Sequence, residues 1–276
     1  MGVFGAVGRM GATVCEAVLA ATDLELVAAV DPLRPGARLA DVLGAAAGAA
    51  ATLRRVGELE VASDADALSR AGADVAVDFT VAAAARKNLR WCSEHSVHAV
   101  VGTTGFSDED LDAFADWFGA SSTANALVSA NFSIGAALMM RCAEQCAPYF
   151  ESIEVIELHH EHKRDAPSGT SLATARRMEA ARSAAGSAPL PADPTEHEAL
   201  AGARGGVTGA GIHLHSVRLP GLVAHQEVLF GSAGETLTIR HDSTDRVSFM
   251  PGVLMAVRAV AALPGLTIGL DRLLGS

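Results

Sequence analysis

Short apolar runs alternate with helix-patterned segments through the first half of the chain, and that alternation restricts the possible folds more than any other feature. Val3-Phe4-Gly5 is a very short strand, followed by the turn Gly5-Ala6-Val7-Gly8-Arg9-Met10-Gly11 and a helical pattern through Ala21. Leu24 to Val30 reads as the second strand and ends at Asp31. Val75 to Phe79, His98 to Val101 and Ala126 to Ala130 repeat the strand pattern, with helices expected near Ala83 to Glu94 and Asp108 to Phe118. Parallel neighbours need a crossover, usually a helix, so this rhythm predicts an α/β fold with a doubly wound parallel sheet. Pro32 to Ala62 interrupts the rhythm with alanine, glycine and arginine. It is expected to be an inserted surface loop with helical pieces or a partly disordered stretch.

Gly5, Gly8 and Gly11 are spaced G-x-x-G-x-x-G, not the strict G-x-G-x-x-G of dinucleotide sites. Such turns also arise for steric reasons alone. Here the glycines lie between a strand and a helix, and Asp31 ends the next strand twenty residues after Gly11. That placement suits a pyrophosphate against the backbone of Gly5, Ala6, Val7, Gly8, Arg9 and Met10, with Asp31 on an adenosine ribose. Asp31 favours the free hydroxyl of NADH, whereas Arg9, Arg34 or Arg38 would balance the 2′-phosphate of NADPH. The cofactor expectation is therefore NADH, NADPH or both. The strand before Gly5 is short, as if the chain began a couple of residues late. Gly102-Thr103-Thr104 and Ser129-Ala130-Asn131-Phe132 follow two further predicted strands, where open α/β sheets bind ligands. Small residues that merely make tight turns would look the same.

Beyond Asn131 the pattern changes. A helix near Ile134 to Ala147 precedes an apolar strand, Ser152 to Leu158, which delivers Glu157-Leu158-His159-His160-Glu161-His162-Lys163-Arg164-Asp165-Ala166-Pro167-Ser168-Gly169-Thr170. Histidine exchanges a proton near neutral pH, and Lys163 adds a fixed positive charge beside it. Pro167-Ser168-Gly169-Thr170 reads as a helix start whose hydroxyl cap and N–H groups suit a carboxylate or phosphate. A solvated histidine loop and a zinc site are the rival readings, although the zincin arrangement of two histidines four apart on one helix is missing. No metal is expected. After a helix from about Thr170 to Ala184 and a loop to about Gly209 come three β-like runs, Ile212 to Leu219, Leu222 to Phe230 and Thr236 to His241. Turn signals at Pro220-Gly221 and Gly231 to Gly234 predict that these are antiparallel neighbours in a mixed sheet with one face on a helix and the other open to a second subunit. A last helix near Phe249 to Ala262, then Leu266 to Leu274, is expected to return to the first domain. The domain expectation is thus 1–130 plus 244–276 for the dinucleotide and 131–243 for substrate and assembly.

The formal charge of −11 disfavours nucleic acid and anionic lipid as partners. No run of about eighteen apolar residues spans a membrane, and no charged region followed by a signal-type stretch opens the chain, so a cytoplasmic protein is expected. Cys15, Cys92, Cys142 and Cys146 lie in helix-patterned segments without C-x-x-C spacing and are expected to be small buried thiols.

These motifs, in this order, resemble the 4-hydroxy-tetrahydrodipicolinate (dihydrodipicolinate) reductase family of the diaminopimelate route to lysine. The most specific stretch is Glu157 to Thr170, supported by Gly102-Thr103-Thr104-Gly105-Phe106 and Ala130-Asn131-Phe132-Ser133-Ile134-Gly135. Gly221 to Val228 and Ile239 to Ser243 look like the actinobacterial form, and only Pro32 to about Ala62 departs from the pattern. The resemblance implies a Rossmann-type domain joined to an α+β domain that binds substrate and assembles a homotetramer. It implies that His159 donates or accepts the proton and that Lys163 is a second donor. His160, Gly169 and Thr170, with Ser168 in the same turn, would hold a small cyclic imine dicarboxylate. Other two-domain dehydrogenases of the aspartate-semialdehyde or inositol type, and a nucleotide sensor without turnover, remain as alternatives.

Overall fold

Apolar runs of only three or four residues build the first sheet. In the computed structural model, which describes residues 1–44 and 59–275, they are β1 (Gly2–Phe4), β2 (Ala28–Val30), β4 (Val75–Asp78), β5 (His98–Val101) and β6 (Ala126–Val128). With β3 (Val61–Ala62) and β12 (Leu266–Ile268) they form a seven-stranded sheet in the order β12-β6-β5-β4-β1-β2-β3. Every pairing is parallel. The central strands are buried along nearly their whole length, as a parallel sheet covered by helices on both faces requires. The expected α/β fold is therefore observed. The first crossover helix, α1 (Arg9–Ala20), starts inside the glycine turn. Gly5 has φ +72°, and a Cβ on Gly11 would lie 2.0 Å from the Gly5 carbonyl oxygen, so each position excludes a side chain.

The sheet departs from expectation at its edge. Only Ala28–Val30 of the run Leu24 to Val30 is strand, while Val27 is tied to the chain start through its N–H to the Met1 carbonyl. The segment Pro32 to Ala62 is not wholly an insertion. It holds a short helix, α2 (Leu39–Leu43), and ends in β3, which pairs with β2. A two-residue strand carries no readable period, which is why the sequence hid it. Residues 45–58 of that segment lie outside the described residues. The helices α3 (Asp66–Arg70), α4 (Ala82–Glu94) and α5 (Asp108–Trp117) complete the alternation. At the C-terminal end, α8 (Met250–Ala259) contacts α1 and leads to β12, which extends the sheet beside β6. The helices α6 (Ile134–Cys146) and α7 (Gly169–Ala184) belong to the second compact unit, Ser133–Ser248. The first unit is Met1–Phe132 with Phe249–Ser276.

The second unit carries a five-stranded mixed sheet in the order β11-β10-β7-β9-β8. Its strands are β7 (Ser152–His159), β8 (Gly206–Val207), β9 (His213–Arg218), β10 (Ala224–Ser232) and β11 (Glu235–Ser243). β10 and β11 form the expected hairpin, but β9 is not a neighbour of β10. β7 lies between them, antiparallel to β10 and parallel to β9. A turn signal fixes only the reversal of direction. The Pro220-Gly221 connection has room to step over one strand, about 10 Å for two inter-strand spacings. β7 takes the middle because its alternate residues Ile153, Val155 and Glu157 are fully or almost fully buried. Ile153, Val155, Val228 and Phe230 pack with Ala143, Ala175 and Met178 of α6 and α7. Each large apolar side chain so buried contributes about 1.5–3 kcal/mol. Cys15 and Cys92 are buried as expected, but Cys142 is exposed, and Cys146 at the end of α6 is half-buried against the edge of the core. Among the described residues no helix is long and apolar enough to cross a membrane.

Candidate active site

The cofactor candidates gather at the carboxyl ends of adjacent strands. Gly5 and Ala6 donate to the Val30 carbonyl at 2.8 and 3.3 Å, which locks the glycine turn onto β2. Gly8 caps α1 without a side chain, Arg9 and Met10 open the helix, and no acidic residue sits in its first turn. A helix start of this kind, closed so tightly that Gly11 tolerates no Cβ, fits a pyrophosphate. Asp31 is buried and already engaged: its carboxylate accepts from the Val7 N–H at 3.1 Å and the Leu33 N–H at 3.0 Å. Two further acceptor positions remain on such a carboxylate, enough for ribose hydroxyls.

Gly102, Thr103 and Thr104 follow β5, and Ser129 to Phe132 follow β6. The Thr103 hydroxyl donates to Asp78 at 3.1 Å. The same buried carboxylate accepts from the Thr80 N–H and hydroxyl at 2.8 and 2.7 Å and from Asn88 at 2.7 Å. Asp78 thus sets the turns after β4 and β5 together. Sequence reasoning passed over it, although a carboxylate closing the apolar strand Val75–Asp78 was the signal. Ser129 donates its hydroxyl to the Asn131 carbonyl, Thr104 and Ala130 are exposed, and the Phe132 ring is buried against Phe79 with centroids 5.8 Å apart. Phe132 is almost fully buried, with its carbonyl oxygen 2.0 Å from where a Cβ on Gly252 would lie.

In the second unit, period-2 alternation puts Glu157 on the buried face of β7 and His159 two residues later on the same side. Glu157 is fully buried. His159 Nδ1 lies 2.5 Å from its Oε2, and Arg218 donates to both of its oxygens at 2.8 Å. The Ser168 N–H adds a bond of 3.2 Å. Burial by itself would raise the Glu157 pKa, but the hydrogen bonds from His159, Arg218 and Ser216 outweigh it and hold the group at about 2. An ionised carboxylate only accepts, so Nδ1 must carry the proton in this pair, and Nε2 is the ring nitrogen that Glu157 does not engage.

Lys163 sets its ammonium on both oxygens of Asp165, each at 2.9 Å, and holds that carboxyl below the usual range. One N–H of the ammonium stays available by count. His160 follows His159 directly. Its buried Nδ1 has no partner among the described residues, and burial, with His159 and His162 nearby, pushes its pKa down. Ser168 caps α7 by accepting from the Ser171 N–H, so its hydroxyl is engaged in the helix start while its N–H goes to Glu157. Gly169 and Thr170 open the helix, and a Cβ on Gly169 would meet nothing. The structure thus brings His159, His160, Lys163, Ser168, Gly169 and Thr170 onto one strand end and turn. Arg218 and the role of Glu157 were missed. A charged residue in the buried phase of a strand marked Glu157, whereas Arg218 reaches it only through the pairing of β7 with β9. Among the described residues no group of three or more His, Cys, Asp or Glu side chains could hold a metal ion.

Known proteins resemble this chain over nearly its whole length. Residues 1–132 match the family model for the N-terminus of dihydrodipicolinate reductase, and residues 135–274 that for its C-terminus. A 4-hydroxy-tetrahydrodipicolinate reductase of Cutibacterium acnes is 51% identical, covering 99% of this chain and 97% of its own. One from Nocardia farcinica is 49% identical over 99% and 98%. The solved dipicolinate-bound dihydrodipicolinate reductase of Paenisporosarcina sp. TG-14 is 37% identical with a TM-score of 0.79, covering 98% of this chain and 97% of its own. The semialdehyde-dehydrogenase alternative also needs a nucleophilic cysteine beside the nicotinamide, yet all four cysteines lie within helices α1, α4 and α6 and none at a strand end. With both halves matched in order, and about half of all positions shared with actinobacterial reductases, the chain belongs to the dihydrodipicolinate reductase family.

Proposed function

We propose that the protein reduces 4-hydroxy-tetrahydrodipicolinate to tetrahydrodipicolinate with NADH or NADPH and loss of water, in the diaminopimelate route to lysine. The observation that carries this reading is the His159 ring, pinned at Nδ1 by an ionised, buried Glu157 with Nε2 left over, at the end of the strand that leads into Lys163 and the α7 helix start. Bound nicotinamide supplies the hydride. Addition of hydride to a conjugated imine pushes an electron pair toward the ring nitrogen or its neighbouring carbon, and His159 Nε2 delivers the balancing proton. The remaining N–H of Lys163 and the α7 helix start neutralise substrate carboxylates, with Lys163 as a second donor. His160, kept neutral by burial, positions the ring, with Gly169, Thr170 and the Ser168 turn. The dipicolinate-bound relative supports a ring dicarboxylate as ligand.

Gly5 to Met10, Gly102 to Thr104 and Ser129 to Phe132 hold the cofactor, and Asp31 receives the ribose. Because the Asp31 carboxylate is fixed by two backbone N–H groups, a 2′-phosphate would meet a negative charge that cannot swing away. NADH is therefore the preferred donor, with NADPH accepted through Arg9, Arg34 or Arg38. The protein works in the cytoplasm as a homotetramer, assembled through the face of the mixed sheet that carries Glu154, Ile156 and Leu158. The test follows NADH and NADPH oxidation with imine generated in situ from pyruvate and aspartate semialdehyde by the preceding synthase. Consumption that requires the synthase, faster with NADH, is the expected result; none with either cofactor, in folded protein, would overturn the reading.

A further inference from the structure

Arg218 lies outside the histidine-bearing segment, yet its guanidinium joins three parts of the site. β7 and β9 pair in parallel with His159 opposite Arg218 and Glu157 opposite Ser216. Arg218 therefore faces His159 across one inter-strand step and takes Glu157 in a bidentate grip. The same Nη2 donates to the Asp165 carbonyl at 2.6 Å, and the Asp165 carboxylate holds Lys163. Among the described residues, Glu157 on its own strand and Arg218 opposite it on β9 meet His159, and β10 presents Ala224 opposite it. His160 follows it in sequence, with Glu161, His162 and Arg246 acting on that ring, and Lys163 and Asp165 lie in the following turn.

A fully buried carboxylate alone beside an imidazole would stabilise the imidazolium and make it a reluctant acid. Arg218 offsets that charge while leaving the hydrogen bond to Nδ1 intact. We propose that Arg218 is a positioning residue for His159: acting through Glu157, it lets the carboxylate fix the tautomer and angle of the ring without holding its proton. This rests on His159 being the acid of the proposed reaction.

The sign follows from the charges. Removing the guanidinium leaves His159 beside an uncompensated anion, so its pKa rises and the high-pH limb of kcat/KM moves up. Removing the Glu157 charge leaves the ring beside a cation, so the limb moves down. The experiment measures kcat/KM against pH, and the His159 ring pKa by NMR titration, in wild type, Arg218→Gln, Arg218→Lys and Glu157→Gln. Arg218→Gln should shift limb and ring pKa up by about one unit and lower kcat about tenfold, with the KM for NADH unchanged. Glu157→Gln should shift them the opposite way. Arg218→Lys keeps the charge but loses the fork, so the limb stays and kcat drops severalfold. If Arg218→Gln does not fold, Arg218→Lys decides: an unchanged kcat, or a moved limb, overturns the proposal. Slower variants whose limbs all coincide with wild type would reduce Arg218 to a packing role and likewise overturn it. His159→Gln separates the two readings. Full turnover there would remove the acid assignment itself, whereas lost turnover with unmoved limbs in the Arg218 and Glu157 variants would remove this inference alone.

Discussion

Two buried carboxylates organise this protein, Asp78 in the first unit and Glu157 in the second, and their partners differ in kind. Among the described residues, Asp78 accepts from neutral donors: the backbone and hydroxyl of Thr80, the Asn88 amide and the Thr103 hydroxyl. Glu157 accepts from charged Arg218 and from His159, as well as from the Ser216 side chain and the Ser168 N–H. The first arrangement ties together the turns that follow β4 and β5. The second couples a strand end to an imidazole ring and to a permanent cation. Burial is common to both, and the neighbours differ in charge; under the proposed function that difference separates a scaffold from an acid–base site.

The largest expected effect breaks the second arrangement. His159→Gln should lower kcat by about a hundredfold or more, the range for losing an acid–base group, while NADH affinity measured by fluorescence stays the same. A matching loss of NADH affinity would show that the two carboxylates serve one undivided site. Thr103→Val removes one neutral donor from Asp78 and leaves a buried acceptor short of a bond, at about 1–3 kcal/mol. It should raise the KM for NADH about tenfold without moving either limb of the pH profile; a shifted limb would bring Asp78 into the proton chemistry. Thr170→Val should raise the substrate KM severalfold, chiefly through binding, and an effect confined to kcat would contradict a cradle role at the α7 start.

The smallest effect is in stability. The Glu157 pKa is held at about 2, below its ordinary 4.5, so the stabilisation that it provides is present above about pH 4.5 and is lost as pH falls toward 2. Calorimetry should find Tm falling through that window more steeply in wild type than in Glu157→Gln. Parallel slopes would mean that Glu157 is not ionised against its partners.

Much of this was readable before the structure. The glycine turn, Asp31, the alternation of strand and helix and the segment from Glu157 to Thr170 are local patterns, and their spacing carries their meaning. The readings that failed or were absent are those in which the outcome depends on a distant segment. The strand Val61–Ala62 exists only because β2 offers an edge to pair with. The place of β9 was misread because a turn reports reversal, not adjacency, and β7, some sixty residues earlier, fills the gap. Cys142 and Cys146 were misjudged because helix spacing does not say which face meets the core.

The sequence by itself determined the class of fold, the position of the dinucleotide turn and the segment that bears His159 and Lys163, because hydrophobic period, glycine spacing and capping residues act over a few neighbours. Tertiary structure alone decided which groups tune those residues. Arg218 meets Glu157 across a parallel strand pair, and Thr103 and Asn88 meet Asp78 across a turn and a helix. No local pattern encodes a contact between residues sixty positions apart; it arises when burial forces a charge to find its partner.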